Sequence, residues 1–154
     1  MGIVQDVLEK ATAALCAEMI GGAQAAMEMA LDYAKIRVQF DKPIGSFQAI
    51  QHHFANMLID INASRTLVYK AASNISAGKP AAKEVAMAKA RTGETFRRVT
   101  LLGHQVFGAI GFSMEHDFHL YHRSAITWDQ AFGGNDFQRE RVARALGLRD
   151  VSMK

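Results

Sequence analysis

The chain has 154 residues, of which 49% are hydrophobic, and its formal net charge is +3. A chain this apolar with so small a net charge is not disordered. Its single cysteine cannot form a disulfide framework. Its basic residues are scattered along the sequence and do not form a nucleic-acid surface. Charged residues such as Glu18, Glu28 and Lys35 interrupt the apolar stretches before they reach membrane-spanning length. The first ten residues lack the apolar core of a signal peptide. We therefore expect one soluble, cytoplasmic domain over residues 1–154.

The first predicted helix covers about residues 4–38, where apolar residues recur three or four positions apart. Gly21 and Gly22 lie inside it, and each glycine costs about 1 kcal/mol relative to alanine in a helix interior. The pair therefore predicts the close approach of a neighbouring helix. Pro43 and Gly45 then predict the end of this helix and a loop.

Four further helices are predicted. Ser46 suits the N-cap of a second helix that extends to Ser76, and Pro80 suits the first position of a third helix whose apolar stripe reaches Ile110. A shorter fourth helix is predicted over about residues 115–130, and a glycine-rich stretch at 132–135 precedes a last helix to Leu146. Long helices joined by short loops indicate an all-α fold, an up-down four-helix bundle with an extra short C-terminal helix.

Histidines and the cysteine are the first candidates for chemistry. His116, His119 and His122 are spaced by three, so on one helix they would share roughly one face. Neither the ligand set of structural zinc nor paired Glu-x-x-His motifs of di-iron bundles are present. We therefore assign no metal ligands, and favour a solvated or hydrogen-bonded histidine face. Cys16 lies within the first apolar stripe, which predicts a buried, unreactive thiol.

A second group of polar residues collects around predicted helix ends. Arg37, Gln39 and Phe40 end the first helix, Gln48 and Gln51 follow the loop, and Gln105 precedes Phe107 and Gly108 near the end of the third helix. An arginine together with amide side chains and exposed backbone at helix ends can bind a phosphate and a nucleotide. The alternative is a simple surface role.

Two motifs within this group resemble those of a known family. Residues 37–51 read RVQFDKPIGSFQAIQ, and residues 105–112 read QVFGAIGF. They resemble the R-x-x-F-G-x-P-I-x-x-F-Q-x-x-Q and Q-x-x-G-G-x-G-[FY] stretches of the C-terminal helical domain of the acyl-CoA dehydrogenases. Asp41 and Ala109 stand where that family usually has glycine.

This resemblance implies a flavoprotein and an acyl-CoA substrate. In the family, flavin adenine dinucleotide (FAD) lies between the C-terminal bundle and a β middle domain, which follows a helical N-terminal domain; neither domain is expected within these 154 residues. By motif position Arg37 would meet the pyrophosphate, with Gln39 and Phe40 beside it. Gln48, Gln105 and Gly108 would hold the adenosine and diphosphate. The bundle would also reach the cofactor of a neighbouring subunit in a dimer or tetramer.

The position of the catalytic base is where the sequence departs from the family. Proton removal beside the thioester requires a carboxylate, but the two positions at which the family places this glutamate align with Phe132 and Ala11. Thr12 replaces an arginine near the second position, while Gly134 and Asp136 replace a threonine and a glutamine that touch the flavin. We therefore assign no catalytic residue.

Other carboxylates do not clearly replace the missing base. Glu9 and Glu18 flank Ala11 at unsuitable spacings. If the alignment around residues 128–135 is displaced by a few positions, Asp129 is the best substitute.

Three hypotheses remain open. In the first, the chain is the C-terminal part of an FAD-dependent oxidoreductase that dehydrogenates acyl-CoA at the α,β bond. In the second, it is a non-catalytic member of the same family, either a partner subunit in a hetero-oligomer or an assembly domain. In the third, it is a helical binding module unrelated to flavin. We expect the isolated chain to be inactive and to expose an apolar face that self-associates.

Overall fold

Five α-helices form most of the molecule over residues 2–148, the part of the chain that the computed structural model describes. Met1 and residues 149–154 of the expected domain lie outside that range. The helices are α1 (Gly2–Ile36), α2 (Gln48–Ser76), α3 (Ala82–Phe107), α4 (Phe118–Gln130) and α5 (Asn135–Ala145). The predicted all-α class is confirmed.

The predicted loop between α1 and α2 contains a small hairpin. β1 (Val38–Gln39) pairs antiparallel with β2 (Lys42–Pro43), with Val38 opposite Pro43. A 3-10 turn (Ile44–Ser46) then leads into α2, and a second 3-10 turn (Gly108–Phe112) follows α3.

The core lies where α1 and α2 pack against α3. Met19, Ala23 and Met57 are among its buried apolar residues, and the ring of Phe96 is fully enclosed. A Cβ atom on Gly22 would lie only 2.7 Å from Cζ of Phe96, whereas one on Gly21 would meet open space. The predicted close approach is therefore confirmed at Gly22 and is wrong at Gly21.

Several helix boundaries differ from the prediction for local reasons. Ser46 does not cap α2: its hydroxyl donates to the carbonyl of Pro43 at 2.7 Å inside the 3-10 turn, and Phe47 occupies the N-cap without a side-chain bond. Pro80 precedes the third helix, which begins only at Ala82. That helix stops at Phe107 because Gly108 has a φ of +64°.

The fourth helix begins at Phe118, so His116 lies before it. Nδ1 of His116 accepts from the backbone amide of Phe118 at 3.1 Å, and the ring of His119 is bonded to the carbonyl of His116 at 2.8 Å. The three histidines therefore do not share one helix face.

Charged side chains within the bundle are paired. Asp60, nearly buried on α2, contacts Arg91 and Arg98 of α3. Buried Lys89 donates to the backbone carbonyl of Asp129 at 2.8 Å. These contacts fasten α2 and α4 to α3.

Over residues 2–148 we find no helix that is both long and apolar enough to span a membrane. Within the same range, no group of three or more histidine, cysteine, aspartate or glutamate side chains is arranged to hold a metal ion.

Candidate functional site

The six residues predicted to contact a cofactor lie at one end of the bundle, which we call the hairpin end. It consists of the last turn of α1, the hairpin, the first turn of α2 and the last turn of α3. The rings of Tyr33 and Phe107 pack with centroids 4.7 Å apart and so join the ends of α1 and α3. All six residues are exposed: Arg37, Gln39, Phe40, Gln48, Gln105 and Gly108.

The hairpin presents Phe40 to solvent. Phe40 and Asp41, the two residues between the paired strands, have φ values of 53° and 63°, as the tight primed turn of a two-residue hairpin requires. Aspartate tolerates this left-handed conformation better than most residues, which explains why Asp41 can stand where the family has glycine. The side chain of Phe40 remains 84% exposed.

Polar side chains at the hairpin end have unused donors. Among the residues that the structure describes, Arg37, Gln39, Gln48 and Gln105 make no side-chain hydrogen bond or ion pair. Gln51 is different, since its Nε2 donates to the carbonyl of Gly45 at 3.1 Å and supports the turn. An unpaired guanidinium and free amides at the same end of a bundle have the chemistry to bind a diphosphate.

A buried histidine next to Gln105 supports the 3-10 turn at this end. The ring of His104 stacks on Phe112 with centroids 4.1 Å apart and planes inclined by 11°. His122 lies edge-on to it at 4.8 Å. Burial lowers the pKa of His104, and the nearby His122 lowers it further. Nothing in the sequence distinguished His104, because its burial depends on the turn folding back over α3.

One of the two positions aligned with the family base, Phe132, lines a cleft at the opposite end of the molecule, and Ala11 lies next to this cleft in sequence. This cleft of about 290 Å³, which we call the base-position cleft, lies between α1, α5 and the turn after α4. Thr12 and Phe132 both line it, and Ala11 directly precedes Thr12. The lining residues that the structure describes are Gln5, Leu8, Thr12, Phe132, Gly133, Phe137 and Arg141. No carboxylate is among them.

Three nearby carboxylates lie outside the lining of the cleft, although Glu9 contacts two of the residues that line it, Gln5 and Arg141. Glu9 lies 3.6 Å from a guanidinium nitrogen of Arg141 and accepts from Gln5 at 3.0 Å. Asp129 is 2% exposed within the α3–α4 interface, where its Oδ2 lies 3.3 Å from Arg97. Glu18 is exposed on α1. The structure therefore brings none of these three carboxylates into the cleft lining.

An exposed apolar face adjoins the base-position cleft. Ile3, Val4, Val7 and Leu8 on the first turns of α1 are between 83% and 43% exposed. Phe132 and Phe137 extend the apolar surface from the other side of the cleft. The expected apolar face is present, and its self-association remains a prediction.

Comparison with known proteins agrees with this architecture. A family profile described as "Acyl-CoA dehydrogenase, C-terminal domain" matches residues 1–147. The short-chain specific acyl-CoA dehydrogenase of Megasphaera elsdenii is 38% identical over 132 residues, which cover 86% of this chain and 34% of that protein. This chain thus spans about a third of the length of that relative.

Solved structures show the same likeness. Butyryl-CoA dehydrogenase from Megasphaera elsdenii has a TM-score of 0.88 at 37% identity, over 92% of this chain and 37% of its own. The ChsE4–ChsE5 complex from Mycobacterium tuberculosis has a TM-score of 0.87 at 33% identity, over 91% of this chain and 38% of its own.

An all-α bundle with these paired motifs defines a C-terminal helical domain of the flavoprotein dehydrogenase type. The chain belongs to the acyl-CoA dehydrogenase family, whose C-terminal domain it matches over nearly its whole length. This membership replaces the expectation of an unrelated helical module.

Proposed function

We propose that the chain is the C-terminal domain of an FAD-dependent oxidoreductase that acts on acyl-CoA, and that it contributes flavin contacts and an oligomer interface. The observation that carries the proposal is the set of unpaired donors at the hairpin end, where Arg37, Gln39, Gln48 and Gln105 are all exposed. A guanidinium and neutral amides suit a diphosphate with its attached adenosine.

The residues at the hairpin end fit the dinucleotide portion of FAD. Arg37 would neutralise pyrophosphate charge, Gln39 and Phe40 would lie beside it, and Gln48 and Gln105 would donate to its polar atoms. At Gly108 an added Cβ would meet no atom within 4 Å, so its φ of +64° accounts for glycine there. When bound, FAD supplies the hydride acceptor for α,β-dehydrogenation.

The distance along α1 between the base-position cleft and the hairpin end supports an oligomer. Thr12 at the base-position cleft and Ile36 at the hairpin end are about 36 Å apart by the helical rise per residue. One extended dinucleotide is too short to contact both ends of the same bundle. The hairpin end is therefore suited to the cofactor of a neighbouring copy, in a homodimer or homotetramer, or of a related subunit. A cytoplasmic location stays a prediction.

Titration with FAD of the chain assembled with the domains that complete its site, followed by flavin fluorescence, tests the role of Arg37. We expect Arg37→Ala to weaken binding about tenfold, the effect of losing about 1.4 kcal/mol of charge-assisted contact. Arg123→Ala is the matched control, because Arg123 is an exposed arginine on α4. Equal affinities for wild type and Arg37→Ala would contradict the proposed contact.

The second candidate function is a non-catalytic partner subunit or assembly domain of the same family. It is favoured by one observation: among the described residues lining the base-position cleft there is no carboxylate. Phe132 cannot accept a proton, and Arg141 contributes a cation. The ChsE4–ChsE5 complex provides a relative that is itself a complex of two named proteins.

Acyl-CoA turnover separates the two candidates. Flavin bleaching by acyl-CoA in the wild-type chain, assembled with the domains that complete its site, excludes the non-catalytic role. No bleaching in the wild type together with bleaching in Phe132→Glu identifies a site that has lost its base.

A further inference from the structure

The turn that carries Phe132 into the base-position cleft is bonded to one buried side chain. Gln138 on α5 is completely buried, with 0% exposure. Its Nε2 donates to the carbonyl oxygen of Phe132 at 2.8 Å and lies 3.4 Å from that of Gly133. A single amide group therefore contacts both residues of the turn.

Chemistry dictates the orientation of this amide. Nη1 of Arg141 donates to Oε1 of Gln138 at 3.1 Å. Because a guanidinium only donates and a backbone carbonyl only accepts, the amide oxygen must face Arg141 and the amide nitrogen must face the turn. Glutamate would keep the acceptor and lose the donor, and methionine would lose both.

Arg141 is itself anchored to the first helix. It pairs with Glu9 at 3.6 Å, and Glu9 also accepts from Gln5. The chain of contacts thus begins on α1, passes through Arg141 and Gln138 on α5, and ends on the backbone of the turn. Both walls of the base-position cleft are tied together by it.

The turn needs such support because its backbone is unfavourable. Phe132 and Gly133 have φ values of 56° and 94°. Glycine adopts positive φ readily, whereas a phenylalanine held there costs energy and keeps that conformation only when its surroundings enforce it.

We propose that Gln138 is a positioning residue that fixes the Phe132–Gly133 turn and so determines where the side chain at position 132 lies in the cleft. The functional meaning of position 132 rests on the proposed function, since the resemblance places the family base there. The geometry of the turn can nevertheless be measured without flavin or acyl-CoA.

Site-specific proteolysis reports on the turn. Chymotrypsin cleaves after aromatic residues, so the Phe132–Gly133 bond reports opening of the turn and the exposed Phe40–Asp41 bond is an internal reference. Cleavage by a protease follows the population of the locally open form. We expect Gln138→Glu and Gln138→Met to raise the ratio of cleavage at Phe132 to cleavage at Phe40 about tenfold, because each removes the donor to the turn.

Ser64→Ala is the matched control. Ser64 is a buried residue whose hydroxyl lies 2.8 Å from that of Thr95, at the α2–α3 interface. Its loss weakens the fold without touching the turn, so the cleavage ratio should stay unchanged. The amide resonance of Gly133 gives an independent signature and should move in the Gln138 variants but not in Ser64→Ala.

An unchanged ratio in both Gln138 variants, or equal acceleration at both bonds, overturns the proposal. If neither variant folds, the same cleavage ratio is measured in Arg141→Met, because this change removes the partner that orients the amide while leaving Gln138 in place. There we expect a ratio raised about threefold, and an unchanged ratio again overturns the proposal. Failure of FAD binding would leave this result standing, so the two failures are distinguishable.

Discussion

The imidazole of His104 lies flat against the ring of Phe112, with centroids 4.1 Å apart, and neither of its nitrogens has a hydrogen-bond partner among the described residues. His122 approaches it edge-on and is itself bonded to the hydroxyl of Thr100 at 3.1 Å. The end of α3 that carries Gln105 is thus packed on a neutral ring. Protonation of that ring would place a charge where no acceptor is available.

We expect acid to destabilise the protein through these two histidines. Burial lowers the pKa of His104 and of His122, with further lowering from His122 on the former and Arg97 on the latter. The unfolded chain therefore binds protons first, and stability is lost as the pH falls below about 6.5, the ordinary histidine value, until the lower folded-state pKa values are passed.

Urea denaturation between pH 8 and pH 5 measures this loss. In His104→Leu the decrease of the unfolding free energy with acid should be smaller, whereas His52→Ala, at an exposed histidine on α2, should keep the wild-type slope. Identical slopes in all three proteins would show that His104 is not responsible.

The adjacent glycines of α1 should respond oppositely to alanine. In Gly22→Ala the new Cβ would lie 2.7 Å from Cζ of Phe96, inside the core; we expect a loss of about 1–3 kcal/mol from overpacking. In Gly21→Ala the new Cβ meets open space, and the better helix propensity should add about 0.5–1 kcal/mol. Thermal denaturation of the two variants tests this prediction. A change of the melting temperature with the same sign in both variants would contradict the described packing.

Cys16 should resist thiol reagents in the native protein. It is completely buried, and burial raises its pKa, an effect only partly offset by the hydrogen bond from Thr92 and the charge of Lys89. The thiolate is the reactive species, so labelling at pH 8 should be slow in buffer and fast in denaturing urea. Rapid labelling of the folded chain would show that the α1–α3 interface opens readily.

Asp129 should act in stability rather than in proton transfer. Its carboxylate lies in the α3–α4 interface beside Arg97, and its charge acts on buried Lys89, whose pKa is lowered chiefly by burial. Asp129→Ala removes the negative charge that compensates Lys89 and Arg97, and we expect the free energy of unfolding to fall by about 2–4 kcal/mol. The loss is smaller than for a fully enclosed ion pair because Arg97 is half-exposed. Urea titration measures it; unchanged stability with abolished turnover in the assembled enzyme would instead favour Asp129 as the base.

Local patterns allowed most of the helices and the hairpin-end residues to be anticipated. Helical periodicity located the three long helices because one face of each must be apolar to pack, and glycine-containing breaks placed the two short ones. The motifs around Arg37 and Gln105 are continuous stretches of sequence, so they could be read without a fold. The predicted cap at Ser46 is wrong because the 3-10 turn continues to Ser46 and the helix begins one residue later than expected, with Phe47 at the N-cap. The Ser46 hydroxyl instead donates to the carbonyl of Pro43, and residue types alone do not fix at which residue a turn passes into a helix.

The sequence by itself determined that this chain is a helical domain whose Arg37 and Gln105 belong to recognisable motifs, since both depend on neighbours along the chain. Only the tertiary structure decided that Thr12 and Phe132 share one cleft, that Asp129 is buried away from it, and that Gln138 supports the turn. The physical reason is that these relationships join residues far apart in sequence, and their distances are set by how α1, α3 and α5 pack.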